Sequence, residues 1–204
     1  MVSDFIMGVL PKSVLIDGTE YPIRWDYRIW MEFDSIRKGS GSDEDKIIKL
    51  LQRCYPKIPD NINEAIDKML WFYQCGEMQE KEKKKQRYQR RTSADPAFSF
   101  SQDTPYIYAA FREQYGIDLT EVQELHWWKF MALFESLNED TKMSKIMYYR
   151  KVSTSGMPKD KRAFINDMKR IYRIKEATGR RMTLQERNQG WIDYVRNRHG
   201  GEEC

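Results

Sequence analysis

Residues 103–151 constrain the fold of this 204-residue chain most strongly, because their aromatic side chains recur at helical spacing. A Thr-Pro pair near the start and Gly116 at the end bound a first short amphipathic helix. Thr120 and Gln123 have the spacing of a capping box, which predicts a second helix that begins there and runs to about Leu137. Asn138 is the predicted cap of a third helix. The stretch therefore predicts three consecutive helices joined by tight turns.

The second of these helices carries apolar residues on an arc too wide for a single packing surface. Trp127 and Trp128 are adjacent, and neighbouring residues on a helix point about 100° apart. Two interpretations are open: both rings lie in the core, or one ring lies on an exposed apolar patch that receives a partner helix. The candidate partner-binding residues are Tyr106, Tyr108, Phe111, His126, Trp127, Trp128 and Phe130.

The first third of the chain predicts a small β hairpin followed by helices. Asp17 and Gly18 form a two-residue loop of the type that joins hairpin strands, and Pro22 places its own strand at a sheet edge. Three further helices are predicted, with N-caps at Asp26, Ser42 and Asn61. The predicted fold class is mainly α: a helical domain with a small N-terminal β hairpin.

The net charge of +4 is concentrated in two basic blocks. Residues 79–91 carry seven basic and two acidic side chains, and residues 158–181 carry nine and three, so the rest of the chain is acidic. The tract at about 79–97 has no apolar periodicity. It is either a solvated spacer or a basic arm for nucleic acid or for an acidic partner.

These patterns predict two parts of the chain. Residues 1–151 form the helical core, which includes the N-terminal hairpin and the charged spacer at about 79–97. Residues 152–204 form a basic helical extension with its own apolar face, opposite its basic residues.

Composition disfavours several classes of function. No run approaches the roughly 18 apolar residues of a membrane span, and the first residues lack the features of a signal peptide, so we expect a cytosolic protein. The three cysteines have no CxxC spacing, and His126 and His199 form no metal-ligand pair. We therefore expect no metal, no cofactor and no catalysis.

Several sequence blocks occur together in a fixed order. They are YIYAAF at 106–111, QYGIDL at 114–119, LHWWKF at 125–130, the pair Leu133 and Phe134, and TKMSKI at 141–146. With these blocks, and with a similar opening at residues 10–30, the chain resembles the bacteriophage gene-product-fifteen family of siphophage tail proteins. The resemblance covers roughly residues 5–151.

The resemblance implies a tail assembly chaperone, a non-enzymatic protein of the host cytoplasm that binds the tape measure protein while the tail tube assembles. A chaperone of this kind exposes apolar surface that self-association would protect, so we also expect a homo-oligomer. The major tail protein is a further expected partner. The alternative is a nucleic-acid-binding protein that uses the basic blocks at 81–91 and 159–181. Without placed side chains for base readout, such binding is expected to be weak and electrostatic.

Overall fold

The structure is a computed structural model that describes residues 8–76 and 96–175. The basic block at 81–91, most of the charged tract at 79–97, and residues 176–204 lie outside the described residues. The predicted fold class is confirmed, since the described residues form one two-stranded antiparallel hairpin and seven α-helices. None of the described helices combines the length and the apolarity needed to cross a lipid bilayer.

The chain divides into two compact units that alternate along the sequence. Of the described residues, unit 1 contains 8–76 and 124–132, and unit 2 contains 96–123 and 133–175. The predicted division into a core at 1–151 and an extension at 152–204 stays a prediction.

Unit 1 begins with the hairpin, formed by β1 (Ser13–Ile16) and β2 (Thr19–Pro22). The predicted turn is confirmed, because Asp17 and Gly18 have φ values of 48° and 74°, the left-handed conformation that a two-residue hairpin loop requires. Pro22 lies at the end of β2, opposite Ser13. In a two-stranded sheet both strands are edges, so the missing N–H of Pro22 interrupts no central ladder.

Three helices follow, and their predicted caps are confirmed. They are α1 (Tyr27–Lys38), α2 (Asp43–Cys54) and α3 (Ile62–Tyr73). The side chains that accept an amide hydrogen bond from the first turn are those of Asp26, Ser42 and Asn61. Each cap satisfies a backbone N–H that the first turn of a helix leaves without an intrahelical partner.

The core of unit 1 is rich in aromatic rings. Trp30 is fully buried, and its ring lies 4.8 Å from that of Phe72 and 5.2 Å from that of Phe33, measured between centroids. The indole N–H of Trp30 donates to the carbonyl of Arg24 at 2.8 Å. The polar atom of this large side chain is therefore satisfied where water is excluded.

A buried carboxylate adjoins these rings. Asp34 accepts hydrogen bonds from the Tyr73 hydroxyl at 2.8 Å and from the Arg37 guanidinium at 2.9 Å. Burial by itself raises the pKa of Asp34, but the charges of Lys38 and Arg37 outweigh it and hold that pKa below its ordinary value. Asp34 is therefore an anion, and its hydrogen bond from Tyr73 links α1 to the end of α3.

Unit 2 contains three complete helices and the end of a fourth. The complete helices are α4 (Thr104–Tyr115), α6 (Lys142–Lys151) and α7 (Lys159–Ile171). Helix α5 (Trp127–Glu135) contributes its first six residues to unit 1 and its last three to unit 2. Gly116 ends α4 in the left-handed conformation, φ 66°, as its position predicted.

Two predicted helix starts are wrong. Helix α5 begins at Trp127 and not at Thr120, whose N–H and hydroxyl donate instead to the Asp118 carboxylate at 2.9 and 2.6 Å. This local turn uses the groups that a helix cap would have needed. Helix α6 is capped by Thr141, whose side chain accepts an amide hydrogen bond from the first turn, and not by Asn138.

Arg150, near the end of α6, organises the interior of unit 2. Its guanidinium is buried and forms a two-point ion pair with Asp103, with N–O distances of 2.6 and 2.8 Å. It also donates to the carbonyls of Ala97 and Tyr172, at 3.0 and 2.6 Å. A single cation therefore joins three segments that are distant in sequence.

The residues after α6 pack into unit 2 up to the end of its described part. Tyr172 makes an edge contact with Tyr106 at 6.2 Å and stacks on Tyr149 at 6.3 Å. Gln102 exchanges two hydrogen bonds with the backbone of Lys175, at 2.7 and 2.9 Å. Residues 152–175 thus pack within unit 2.

Candidate partner-binding site

The start of α5 is positioned by an isolated backbone bridge. The N–H of Tyr27 donates to the carbonyl of Leu125 at 3.0 Å, and the N–H of Trp127 donates to the carbonyl of Trp25 at 2.8 Å. These bonds hold Asp26 opposite His126 in an antiparallel bridge. Because His126 takes part in this extended bridge, α5 begins at Trp127 and not earlier in the chain.

Both tryptophans of α5 are buried, and both donate to the last turn of α3. The indole N–H of Trp127 lies 2.9 Å from the carbonyl of Tyr73, and that of Trp128 lies 2.9 Å from the carbonyl of Phe72. Carbonyls at a helix C-terminus lack intrahelical donors, and the indoles donate to two of them; the Phe72 carbonyl also accepts from the N–H of Cys75 at 3.1 Å. The interpretation that both rings lie in the core is the one that the structure shows.

After the end of α3, the backbone at Gly76 passes close to the ring of Trp128. Gly76 has a φ of 79°, and a Cβ atom there would lie 2.9 Å from Cη2 of Trp128. Glycine adopts this left-handed conformation without strain, and it leaves room for the ring.

His126 makes a hydrogen bond with each ring nitrogen. The N–H of Trp128 donates to Nδ1 at 3.1 Å, so Nδ1 carries no proton and Nε2 donates to the carbonyl of Pro11 at 2.9 Å. The imidazole also stacks on Trp25 at 5.8 Å. Burial is the main cause that lowers the pKa of His126; the hydrogen bond to the Pro11 carbonyl opposes it, and the nearby cations Lys129 and Lys12 add to the lowering. The two hydrogen bonds are those of an imidazole that is protonated at Nε2 only.

Phe130 completes the predicted group in unit 1. It is fully buried, with its ring stacked on Tyr27 at 4.9 Å and on Trp127 at 5.7 Å. The four candidate residues of unit 1 accordingly form part of its core.

The three candidate residues of unit 2 lie on α4. Phe111 is fully buried, whereas Tyr106 and Tyr108 are half-buried. The Tyr108 hydroxyl donates to Asp118 at 3.0 Å, and this bond raises the pKa of Tyr108. The hydroxyl and amide of Thr120 are the main cause that lowers the pKa of Asp118. Of all seven candidates, only the two tyrosines keep substantial exposed surface, and the partner-binding assignment stays a prediction.

The large exposed apolar side chains of unit 2 lie elsewhere, on α6 and α7. Tyr148 and Phe164 are each 51% exposed, and Ile171 is 61% exposed. The ring of Tyr149 contacts Tyr148 at 5.9 Å and Phe164 at 6.0 Å, edge to face in both cases. We refer to Tyr148, Tyr149, Phe164 and Ile171 as the α6–α7 patch.

Sequence periodicity did not single out this patch. The apolar residues of α7 recur at helical spacing, which predicted a packed face, but of these residues only Ile165 is buried. The feature of the sequence that indicates this patch is the charge of the region. Residues 141–175 contain eleven lysines and arginines and two aspartates, a net charge of +9. Charge of this density around apolar residues is typical of a surface that meets a partner.

Within residues 8–76 and 96–175, no group of three or more His, Cys, Asp or Glu side chains has the geometry to hold a metal ion. A model of the family described as bacteriophage Gp15 protein matches residues 6–174. No curated protein sequence and no solved structure shows significant similarity to the chain.

Proposed function

Because the chain belongs to the bacteriophage Gp15 protein family, we propose that it is a tail assembly chaperone that binds the tape measure protein. In this proposal the protein is not an enzyme, and it acts in the host cytoplasm before the tail tube closes around its partner. The family match over residues 6–174 is the observation that carries the proposal.

The physical basis of such an activity is the covering of apolar helical surface. A long helical partner exposes apolar stripes that aggregate in water, and a chaperone protects them by presenting apolar surface of its own. The exposed side chains of Tyr148, Phe164 and Ile171 provide surface of this kind. Self-association would cover the same surface when no partner is present, so the proposal includes a homo-oligomer. It also includes the major tail protein as a second partner.

A second candidate function is nucleic-acid binding, and the net charge of +9 over residues 141–175 favours it. Such binding would come from phosphate contacts and would decline steeply as salt is raised to about 0.2 M. Part of the charge is already used inside the protein, because Arg150 is buried against Asp103. We therefore rank this function second.

Coexpression with the tape measure protein tests the proposal. We expect the tape measure protein to become soluble and to copurify with this chain at about 0.2 M salt, a concentration that weakens purely electrostatic contacts. An unrelated helical protein of similar length serves as the control bait. If the folded chain recovers no more tape measure protein than the control does, the proposed function is wrong.

A further inference from the structure

Three residues of the α6–α7 patch form a continuous run across two packed helices, and Ile171 lies further along α7. Contacts between rings run from Tyr148 through Tyr149 to Phe164, and each contact is edge to face. Tyr149 also stacks on Tyr172, which is fixed by the Arg150 hydrogen bond to its carbonyl. The exposed rings therefore rest on a part of unit 2 that is held internally, and they are presented without a large ordering cost.

The spacing of the patch on α7 suits a helical ligand. Phe164 and Ile171 are seven residues apart, two turns of one stripe, which corresponds to about 10.5 Å along the axis. A facing helix offers apolar side chains at the same interval, through positions i, i+3, i+4 and i+7. Two or three turns of an amphipathic helix are enough to cover both side chains.

The charges beside the patch indicate the sign of the ligand. Lys145 precedes Tyr148 by three residues and Lys161 precedes Phe164 by three residues, so each lysine neighbours a patch residue on its own helix. Lys161 forms no ion pair with any other residue that the structure describes, and Lys145 has only the fully exposed Asp140 at 3.5 Å. Both ammonium groups can therefore form an ion pair with a carboxylate of another molecule.

Anions are also present on this side of α7. Asp167 is occupied by Arg170 at 3.1 Å. Asp160 lies in the first turn, where the helix dipole favours a negative charge. The balance over residues 141–175 remains strongly positive, so an acidic ligand is favoured over a basic or neutral one.

We propose that the α6–α7 patch is a docking surface for an acidic amphipathic helix, whose apolar side chains cover Phe164 and Ile171 and whose carboxylates meet Lys145 and Lys161. The inference rests on the proposed function, in which the tape measure protein supplies that helix. Beyond that function, the inference specifies which surface of this chain binds, and that the bound segment is helical, amphipathic and acidic.

Matched substitutions in the full-length chain test the apolar part. Phe164→Ser on α7 removes a patch residue, and Ile48→Ser on α2 of unit 1 removes an apolar side chain with the same 51% exposure. After circular dichroism has shown equal helix content, the affinity of each variant for the tape measure protein is measured. We expect Phe164→Ser to lose at least about tenfold and Ile48→Ser to lose less than about twofold.

Charge reversal tests the polar part without changing the apolar surface. We expect Lys161→Glu to weaken binding by about three- to tenfold, and Lys49→Glu, at an exposed position of α2, to have little effect. Overlapping synthetic peptides that cover the tape measure protein then identify the bound segment. Peptides that combine apolar residues at helical spacing with net negative charge are expected to bind the wild type and not Phe164→Ser.

The outcomes separate this inference from the proposed function. If the wild type recovers no tape measure protein, both are wrong. If the wild type binds it and the two patch variants bind equally well, or if the bound peptides are basic, only the docking surface is wrong. Two further results for Phe164→Ser would also overturn the docking surface. The variant could lose a dimer while its binding of the tape measure protein is unchanged, or it could lose binding of single-stranded DNA and nothing else.

Discussion

The start of α5 in unit 1 and the α6–α7 patch in unit 2 are both rich in aromatic residues, but they use them in opposite ways. Trp127 and Trp128 are buried, and each indole N–H donates to a carbonyl of α3. Among the described residues, no hydrogen-bond partner is found for the hydroxyl of Tyr148 or Tyr149, and Tyr148 is half exposed. The comparison shows that burial, and not aromatic density, separates core rings from candidate interface rings, and that the buried indoles have protein acceptors for their N–H groups.

The largest effect that would test this comparison is the loss of a core tryptophan. Trp127→Ala removes a buried ring, its stacking on Tyr73 and Phe130, and the donor to the Tyr73 carbonyl. We expect the free energy of unfolding to fall by about 3–5 kcal/mol. Denaturant unfolding followed by circular dichroism measures it.

Phe164→Ala is the matched change in the patch, and we expect it to lower the free energy of unfolding by less than about 1 kcal/mol because the ring is half exposed. Equal losses for Trp127→Ala and Phe164→Ala would remove the distinction between the two regions.

Two glycine substitutions, with intermediate expected losses of stability, test how tightly the ring of Trp128 is packed. Gly76→Ala combines a left-handed φ with a Cβ placed 2.9 Å from Cη2 of Trp128, whereas Gly156→Ala has a φ of 77° and no atom within 4 Å. We expect a loss of about 1 kcal/mol for Gly156→Ala from backbone strain alone, and about 2–3 kcal/mol for Gly76→Ala from strain plus overpacking. Thermal unfolding of both variants gives the difference, and a difference of zero would mean that Trp128 is not tightly packed.

The smallest effect concerns protonation of His126. Its pKa is lowered in the folded state, so below the ordinary value of about 6.5 the unfolded chain binds more protons than the folded chain. Stability contributed by neutral His126 is complete above that pH and is lost as pH falls. Protonation of Nδ1 also replaces the acceptor of the Trp128 N–H with a donor.

Unfolding of the wild type and of His126→Gln between about pH 7 and pH 5 measures this effect, because glutamine does not titrate. We expect the wild type to lose more stability over this interval than the variant does. Parallel pH profiles would show that the histidine is protonated to the same degree in both states.

Elements with local signals could be predicted from the sequence, and elements fixed by distant contacts could not. The Asp17 and Gly18 turn and the caps of α1 to α3 depend on residues within a few positions of each other. The start of α5 depends on a bridge to residues 25–27, about a hundred positions away. Thr120 matched a capping box locally but is used by the Asp118 turn.

The candidate site shows the same limit. Burial of Trp127, Trp128 and Phe130 follows from α1 and α3, which the local spacing of α5 does not report. The resemblance was traced to residue 151, while the family match extends to residue 174. The additional residues include Tyr172, whose carbonyl accepts from Arg150.

Arg150 therefore has a consequence for the order in which the protein is made. Asp103 and the Ala97 carbonyl precede it in the chain, but the Tyr172 carbonyl is added 22 residues later. A nascent chain that has not yet reached Tyr172 holds a guanidinium with only part of its acceptors, and such a group is costly to bury. We therefore expect the interior of unit 2 to close only after Tyr172 has been added to the chain, because the buried guanidinium lacks one of its acceptors until then.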